Sequence, residues 1–331
     1  MPDTKPVGIV LLQLGGPDSQ ENVEPFLYNL FCDPDIIDLP LAFLFRRSLA
    51  RFISSRRAPK VREYYRRIGG RSPILKLTMR QARALQDALA GRMNCRVAVA
   101  MRYWHPMTAQ AVQTIRESGV ERVLLLPLYP QYSKTTTGSS VNEWRRVLRQ
   151  QRANGLQVDV VDEYCEHPLY VRALVRNITI ALKRVKPADR SRVHLVFSAH
   201  GTPVKLVEAG DPYQQQILRT YNAVVQEGNF GLPTCLCYQS KVGPQKWLTP
   251  SLDETIQRLA AEKVTHVVVV PIAFVSDHSE TLWEINIEAR EHAKRLGIRH
   301  FDMSPGLNNN PLFIQALADI VQQRVGGWQR S

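Results

Sequence analysis

The sequence predicts an α/β fold with two similar halves, each with a parallel four-stranded sheet that helices flank. Eight apolar runs recur along the 331-residue chain, most of them ending at glycine, proline or a polar turn, and helical patterns separate most of them. Such alternation is typical of parallel sheets that are covered on both faces. The halves resemble each other because the runs 122–128 and 266–272 each reach a proline at the same point.

Hydrophobic periodicity gives the bounds of the predicted elements. The predicted strands are 7–14, 96–103, 122–129, 158–163, 193–198, 233–239, 266–274 and 297–303. The predicted helices include 79–90, 108–118, 170–185, 251–262 and 311–324. We expect one domain at 1–158 and a second at 159–305, and we expect the C-terminal segment 306–331 to complete the first.

The carboxyl ends of these strands are the places where a ligand is expected. Ligands of open α/β sheets bind beyond the carboxyl ends of the strands, and a proline ends ladder pairing on one side of each repeated run. The loops to inspect therefore follow Leu14, Tyr103, Tyr129, Ser198, Gln239 and Phe274.

Composition excludes several classes of protein. Hydrophobic residues make up 44% and charged residues 22% of the chain, which excludes a disordered or fibrous protein. No run approaches the ~20 apolar residues of a membrane span, and no secretory signal is visible at the N-terminus. Five cysteines are too few, and odd in number, for a disulfide framework. Reduced thiols and a cytoplasmic location are the expectation.

The formal net charge of +13 suits nucleic acid, an anionic membrane surface or an acidic small molecule. Ten Lys/Arg and one acidic residue lie between Arg46 and Arg71, directly after the apolar segment 39–45. An apolar lip backed by arginines is typical of a membrane-surface element. The alternative is a helix packed on the core with a solvated basic face, which the sequence pattern alone slightly favours.

His200 lies in the loop Ser-Ala-His-Gly-Thr-Pro (198–203), just past a predicted buried strand. Histidine titrates near neutral pH and can accept or pass protons. From its position alone His200 is either a catalytic base or, more often, a structural residue in a turn.

A second polar loop begins at Ser276 and continues into a predicted helix, which Ser276 or Asp277 can cap. Glu280, Glu284 and Glu288 then fall at i, i+4 and i+8 on one helix face, with Asp277 and His278 at its start. Imidazole and carboxylate groups together suit Fe²⁺ among other metals, so this stripe could conduct metal ions or protons. Taken alone, it is more commonly a solvated acidic face.

The first half has aromatic, arginine and hydroxyl groups at strand ends instead. They lie in the segments 64–73, 102–106 and 129–140. Such groups suit a flat acidic ligand, and they also suit single-stranded nucleic acid. The signatures of a phosphate-binding loop and of a dinucleotide fold are absent.

Taken together and in order, these segments resemble the ferrochelatase family over nearly the whole chain. The matching segments are Leu-Gly-Gly-Pro (14–17), Tyr-Arg-Arg-Ile-Gly-Gly (65–70) with Ser-Pro (72–73), Arg-Tyr (102–103) with His-Pro (105–106), Tyr-Pro-Gln-Tyr-Ser (129–133), Thr-Thr-Gly-Ser-Ser (136–140), Ser-Ala-His (198–200), Gly-Asp-Pro-Tyr (210–213), Gln-Ser-Lys-Val-Gly-Pro (239–244) with Trp247, and Ser-Asp-His-Ser-Glu-Thr-Leu (276–282).

The resemblance implies two similar Rossmann-like, chelatase-like domains with a porphyrin cleft between them. It implies a lyase-class chelatase that inserts Fe²⁺ into protoporphyrin IX to form protoheme, the last step of heme biosynthesis. His200 and Glu280 would be the catalytic and metal-site pair, facing each other across the macrocycle. Asp277, His278, Glu284 and Glu288 would be a metal or proton conduit. The implied porphyrin-binding residues are Leu14, Arg57, Tyr65, Ser72, Arg102, Tyr103, Ser133 and Trp247.

The resemblance also bears on cofactors and partners. Fe²⁺ is a substrate, and no prosthetic group is expected. Relatives with an iron–sulfur cluster use a cysteine where this chain has Lys134, and no cysteine follows Cys237, so we expect no such cluster. We favour a monomer and expect no nucleic acid. In this context the segment 39–52 is expected to touch the inner face of a membrane transiently.

Three alternatives stay open at this stage. The substrate could be coproporphyrin III, or the chain could be another tetrapyrrole chelatase. It could also be a heme or porphyrin carrier without catalysis. A basic nucleic-acid-binding module would explain the charge, but it would not explain His200 and the carboxylate stripe at strand ends.

Overall fold

The computed structural model describes residues 6–36, 42–153, 155–241 and 245–328. The chain forms two compact units, of which the first is Met1–Glu163 with Ile314–Ser331 and the second is Tyr164–Phe313. The predicted domains are 1–158 with 306–331, and 159–305.

The first unit has a parallel sheet in the order β2-β1-β3-β4. Its elements are β1 (Val7–Gln13), α1 (Val23–Phe31), α2 (Ala42–Arg67), α3 (Ile74–Leu89), β2 (Cys95–Met101), α4 (Thr108–Glu117), β3 (Arg122–Pro127), a π-helix (Lys134–Gly138), α5 (Ser139–Gln150) and β4 (Gln157–Val160).

The second unit has a parallel sheet in the same arrangement, β6-β5-β7-β8. Its elements are α6 (Pro168–Arg184), a 3₁₀ helix (Pro187–Arg192), β5 (Val193–His200), α7 (Val204–Glu208), α8 (Tyr213–Gly228), β6 (Thr234–Gln239), α9 (Leu252–Ala261), β7 (His266–Pro271), a π-helix (Glu280–Ala289), α10 (Arg290–Arg295) and β8 (His300–Met303). The last helix, α11, spans Pro311–Gly327.

The predicted fold class is confirmed, and every predicted strand overlaps an observed one. The predicted strands 122–129 and 266–274 were too long at their carboxyl ends. Both observed strands end at the repeated proline, Pro127 or Pro271. Proline has no N–H to donate to the ladder, and the chain leaves the sheet there.

The internal repeat is visible in one equivalent hydrogen bond of each sheet. Directly after the third strand, a backbone N–H donates to the first strand, at the carbonyl of Leu12 in the first unit and of Ser198 in the second. Counting from these bonds, Leu14 occupies in the first unit the position that His200 occupies in the second. The two units therefore place different chemistry at equivalent strand ends.

Each sheet packs against its crossover helices through fully buried aliphatic and aromatic residues. The first-unit core includes Val10, Leu125, Ile115 and Trp144. The second-unit core includes Val196, Val269, Ile256, Leu259 and Ile285. Burial of this kind contributes about 1.5–3 kcal/mol per large apolar side chain. Ser251 and Glu254 form a capping box that begins α9, where a helix was predicted.

Candidate active site

The candidate site lies at the carboxyl ends of neighbouring strands in the second unit. His200 is the last residue of β5, and in register it lies beside Gln239, the last residue of β6. The loop after β7 leads into the π-helix that begins with Glu280. Three chain segments thus deliver polar groups to the edge of the sheet where ligands of α/β proteins bind.

His200 and Glu280 are hydrogen-bonded directly. The Nδ1 atom of His200 lies 3.0 Å from Oε2 of Glu280. An ionised carboxylate only accepts hydrogen bonds, so Nδ1 carries the hydrogen. In the neutral ring the lone pair is then on Nε2, and no described residue bonds to that atom. The Glu280 carboxylate therefore orients the His200 ring with Nε2 ready to accept a proton.

The direct bond corrects one expectation. The resemblance implied that His200 and Glu280 face each other across the macrocycle, but no ring can lie between atoms 3.0 Å apart. Within the described residues, no group of three or more His, Cys, Asp or Glu side chains is arranged to hold a metal ion.

The electrostatic field of Glu280 shifts the His200 equilibrium toward the charged form. Burial opposes the imidazolium, but the charge and hydrogen bond of Glu280 outweigh it, with a smaller contribution from Glu284, and raise the pKa of His200 above its usual 6.5. The His200 side chain is 37% exposed, so solvent moderates this effect. A proton that reaches Nε2 is thus held more firmly than on a free imidazole.

His278 contacts the same carboxylate from a more buried position. Its Nδ1 lies 2.9 Å from the carbonyl oxygen of Ser276, and its Nε2 lies 3.6 Å from Oε2 of Glu280. A carbonyl only accepts, so Nδ1 is a donor and Nε2 faces the carboxylate best when it too is protonated. Burial opposes the charge, yet Glu280 raises the pKa of His278.

The two imidazoles keep Glu280 ionised. Burial alone would raise the pKa of this carboxyl, but the charges and hydrogen bonds of His200 and His278 hold it well below the usual range. The Phe274 ring contacts both imidazole rings, with centroid distances of 6.2 Å to His200 and 4.8 Å to His278. The result is a fixed carboxylate between two histidines.

The pKa of Glu284 is raised, whereas that of Glu280 is lowered. Oε2 of Glu284 accepts hydrogen bonds from Ser240 Oγ and, at 3.2 Å, from Gln239 Nε2. Burial and the nearby charge of Glu280 raise its pKa to about 7, although these hydrogen bonds act in the other direction. Glu284 can therefore gain and lose a proton near neutral pH. Gln239 also bonds to Ser198 Oγ and to the Glu280 carbonyl, so it joins β5 to the π-helix.

The carboxylate stripe follows a π-helix of ten residues instead of the predicted α-helix. Glu280 is 23% exposed at its side chain, Glu284 is partly buried and Glu288 is exposed. The stripe therefore leads from the histidine pair to solvent. π-Helical segments in α-helices are often found at functional sites, and hydrophobic periodicity does not reveal them.

Neither the predicted helix cap nor the predicted conduit role of Asp277 matches the hydrogen bonds around this loop. Neither Ser276 nor Asp277 caps the π-helix, because Ser279 precedes it and no side chain bonds there as a cap. The carboxylate of Asp277 instead accepts hydrogen bonds from Asn308 and Thr281. It is thus held in a loop contact beside the stripe.

Three of the implied porphyrin-binding residues meet in one cluster of the first unit. Tyr65 and Tyr103 are 3% and 1% exposed, and Leu14 packs against them. Burial, followed by the charge of Asp33, raises the pKa of Tyr103 well above its usual value. The two tyrosine rings are largely enclosed by core neighbours.

Arg102 is paired within the first unit. Its guanidinium lies 3.0 Å from Oδ2 of Asp33 and 4.0 Å from Glu143, and Nε donates to Ser139 Oγ at 2.8 Å. The same Asp33 oxygen accepts from the Tyr103 hydroxyl at 2.5 Å and from the Ser139 hydroxyl. Asp33 was not identified from the sequence, since an isolated aspartate in a turn carries no motif.

The other implied porphyrin-binding residues lie in several environments. Arg57 places its guanidinium over the Phe31 ring at 5.7 Å. Ser72 is buried and its N–H donates to Pro17, while Ser133 is buried and accepts from the Thr135 N–H at the start of the first π-helix. Trp247, in the second unit, pairs with Pro203 through a backbone bridge near His200.

Several contributors to the site were missed or received no role from the sequence. Gln239 and Ser240 hold Glu284, Phe274 contacts both histidine rings, and the Tyr213 hydroxyl donates to the His200 carbonyl at 3.0 Å. Gln239 had a usable signal, because it ends a predicted strand. The others depend on tertiary contacts.

The predicted membrane segment 39–52 is described only in part. Residues 39–41 and the side chains of 42–44 lie outside the described part of the chain. In the remainder of α2, Phe45 is 66% and Phe52 is 57% exposed. No helix within the described ranges is long and apolar enough to cross a bilayer.

Comparison with known proteins bears on the fold and the family. The sequence model described as Ferrochelatase matches residues 6–325. SirB from Bacillus subtilis, solved with Fe³⁺, has a TM-score of 0.55 at 12% identity and covers 96% of this chain and 95% of its own. A multi-domain protein from Deinococcus radiodurans with structural similarity to chelatases has a TM-score of 0.53 at 13% identity, covering 96% of this chain and 55% of its own. These identities are low, so the two structures support the fold alone.

Sequence relatives are much closer. A ferrochelatase from Geotalea uraniireducens is 49% identical over 318 residues, covering 96% of this chain and 97% of the relative. A ferrochelatase from Aquifex aeolicus is 46% identical over 319 residues, covering 96% of this chain and 99% of the relative. With the histidine–carboxylate site at the strand ends of a chelatase-like fold, these matches show that the chain belongs to the ferrochelatase family.

Proposed function

We propose that the chain inserts Fe²⁺ into protoporphyrin IX to form protoheme, as a lyase-class metal chelatase. The observation that carries the proposal is the His200–Glu280 bond, which leaves Nε2 of an oriented imidazole without a bond to any described residue. Metallation replaces two pyrrole N–H protons with one Fe²⁺, so two protons must leave for each metal that enters. A fixed base at a strand end is the group that this reaction needs.

In this mechanism His200 Nε2 takes a pyrrole proton, and Glu280 stabilises the imidazolium that forms. Glu280 stays ionised throughout because two imidazoles face it. Glu284, with a pKa of about 7, accepts a proton from the site and passes it toward Glu288 and solvent. His200 and Glu280 are also the proposed contacts of the entering Fe²⁺.

The implied porphyrin-binding residues offer two kinds of group for the macrocycle. Arg57, Ser72, Arg102 and Ser133 offer donors for the porphyrin carboxylates, and Arg102 is pre-set by its bonds to Asp33 and Ser139. Leu14 and Trp247 offer apolar and aromatic surface, and the buried Tyr65 and Tyr103 belong to the cluster on which Leu14 packs. A site that favours a bent macrocycle would expose the nitrogen lone pairs to the metal, using binding energy for strain.

The substrate could also be coproporphyrin III, which has four carboxylates where protoporphyrin IX has two. The test is anaerobic metallation followed through the visible spectrum, with each porphyrin and Fe²⁺. We expect wild-type protein to consume free protoporphyrin IX, His200→Ala to be inactive, and the surface control His105→Ala to match wild type. Tight porphyrin binding without metallation by the wild type would instead indicate a carrier.

No prosthetic group is proposed for this reaction, and the position of Lys134 supports the absence of a cluster of the cysteine-ligated kind. We propose a monomer at work in the cytoplasm, without nucleic-acid partners. Metallation and porphyrin binding should then respond weakly to salt, whereas nucleic-acid binding falls steeply with it.

We also propose that α2 touches the inner face of a membrane. Phe45 and Phe52 are exposed on this helix, and the Arg56 guanidinium lies 5.0 Å above the Phe52 ring. Burying two phenylalanines contributes about 3 kcal/mol or more, roughly 100-fold in partitioning. The test is flotation with phosphatidylcholine–phosphatidylglycerol vesicles. The double variant Phe45→Ser/Phe52→Ser should no longer float with the vesicles, whereas Met79→Ser, the exposed control, should float as wild type does. Retention of the double variant would contradict the proposal.

A further inference from the structure

Asp277 and Asn308 form a two-point contact beside the candidate site. The N–H of Asp277 donates to Asn308 Oδ1 at 2.9 Å, and Asn308 Nδ2 donates to Asp277 Oδ2 at 2.7 Å. In addition, the N–H of Asn308 donates to the carbonyl of Val275 at 2.8 Å. The loop after β8 is thereby attached to the loop that carries His278.

The contact continues into the first turn of the π-helix through Thr281. Its hydroxyl lies 3.2 Å from Asp277 Oδ1, and the N–H of His278 donates to the same hydroxyl at 3.1 Å. The N–H of Leu282 then donates to the His278 carbonyl at 2.9 Å. Asp277 is therefore bonded on one side to Asn308 and on the other to the turn that places His278 and Glu280.

The loop that carries Asn308 is itself fixed. Asn177 of α6 donates to the carbonyls of Pro305 and Gly306 at 2.9 and 3.1 Å. A side chain at Gly306 would meet the Asp277 carboxylate at 2.7 Å, so glycine is needed for this close approach. The support for Asp277 therefore reaches back to the packed body of the second unit.

We propose that Asp277 and Asn308 are positioning residues, a clamp that fixes the turn carrying His278 and Glu280. The inference deepens the proposed function and rests on it. It replaces the conduit role expected for Asp277, because both carboxylate oxygens already accept hydrogen bonds, from Asn308 and Thr281. Glu284 and Glu288 are left as the carboxylates of the conduit.

The two roles make opposite predictions for an exchange of the two side chains. A conduit needs the negative charge at position 277. A clamp needs one donor and one acceptor facing each other, and the double variant Asp277→Asn/Asn308→Asp supplies them in reverse. The new carboxylate can accept from the backbone N–H of residue 277 and from its amide, and the new amide oxygen can accept from Thr281.

The experiment measures metallation of protoporphyrin IX for wild type, Asn308→Asp, Asp277→Asn, the double exchange and Asn309→Ala. Asn309 is the exposed neighbour and serves as the matched control. Asn308→Asp sets two carboxylates against each other, and we expect kcat to fall by about 100-fold with little change in porphyrin KM, as a displacement of about 1 Å can do. The double exchange should recover most of this loss, and the control should match wild type.

A second readout does not depend on activity. The imidazole NMR signals of His278 should shift in Asn308→Asp and return toward wild-type positions in the double exchange. A double exchange as slow as Asn308→Asp overturns the positioning role, and His278 signals that fail to return in the double exchange overturn the clamp itself. A wild-type protein that does not metallate porphyrin refutes the proposed function instead, and the His278 signals then decide whether the clamp exists.

Discussion

Replacing Glu280 by Gln tests whether the charge of Glu280 raises the pKa of His200. The amide keeps an oxygen that can accept from His200 Nδ1 at the observed 3.0 Å, but it removes the negative charge. An opposite charge this close raises a histidine pKa by about 1–3 units. The His200 side chain is 37% exposed, so solvent reduces this effect without reversing its direction.

The sign follows from the direction of the shift. His200 is the proton acceptor only when neutral, so metallation should rise as pH increases through its raised pKa, above 6.5. In Glu280→Gln that rise should move to lower pH, because the charge that raises the pKa of His200 is gone. The plateau should also fall, because a base of lower pKa accepts protons less readily.

The assay is the pH dependence of kcat/KM for anaerobic metallation, which reports groups of the free enzyme. Glu291→Gln is the matched control, since Glu291 is exposed on α10 and lies outside the stripe. Its profile should overlay that of the wild type. An unshifted rise in Glu280→Gln would refute the claim that Glu280 sets the basicity of His200.

Three further predictions concern other polar groups. Glu284→Gln removes a carboxyl with a pKa of about 7, and the acid side of the pH–rate profile should become less steep while porphyrin binding is retained. Gln239→Leu leaves buried hydrogen-bonding partners unsatisfied and should lower the free energy of unfolding by about 1–3 kcal/mol, measured by urea titration. Asp33→Asn leaves the Arg102 guanidinium without its closest counter-charge and should cost about 3 kcal/mol by the same measurement, whereas Asp35→Asn, at the surface, should cost under about 1 kcal/mol.

Much of the fold follows from the sequence because buried parallel strands leave a strong local signal. The runs ending at Pro127 and Pro271 are continuous β-branched or leucine stretches, and both became central strands of their sheets. The segment Ala42–Arg67 gave a weaker signal, since arginines interrupt its apolar positions. It forms a single helix of 26 residues that includes Pro59.

The sequence singles out His200, His278 and Glu280, which the structure brings together, but it does not predict the geometry of their contacts. Spacing placed Glu280 and Glu284 on one face, and the strand ends placed His200 near them. Spacing could not show that the His200 and Glu280 side chains bond directly. That bond depends on the wider π-helical turn and on contacts made by residues distant in sequence, such as Asn308 and Gln239.

The proposed mechanism requires that Nε2 of His200 accepts the pyrrole protons. It is tested most directly by single-turnover metallation of protoporphyrin IX with Fe²⁺ by His200→Ala, with and without added imidazole. We expect the rate to fall by about 10²–10⁴-fold and to rise again in proportion to imidazole. A His200→Ala protein that metallates protoporphyrin IX at the wild-type rate without imidazole would contradict the account.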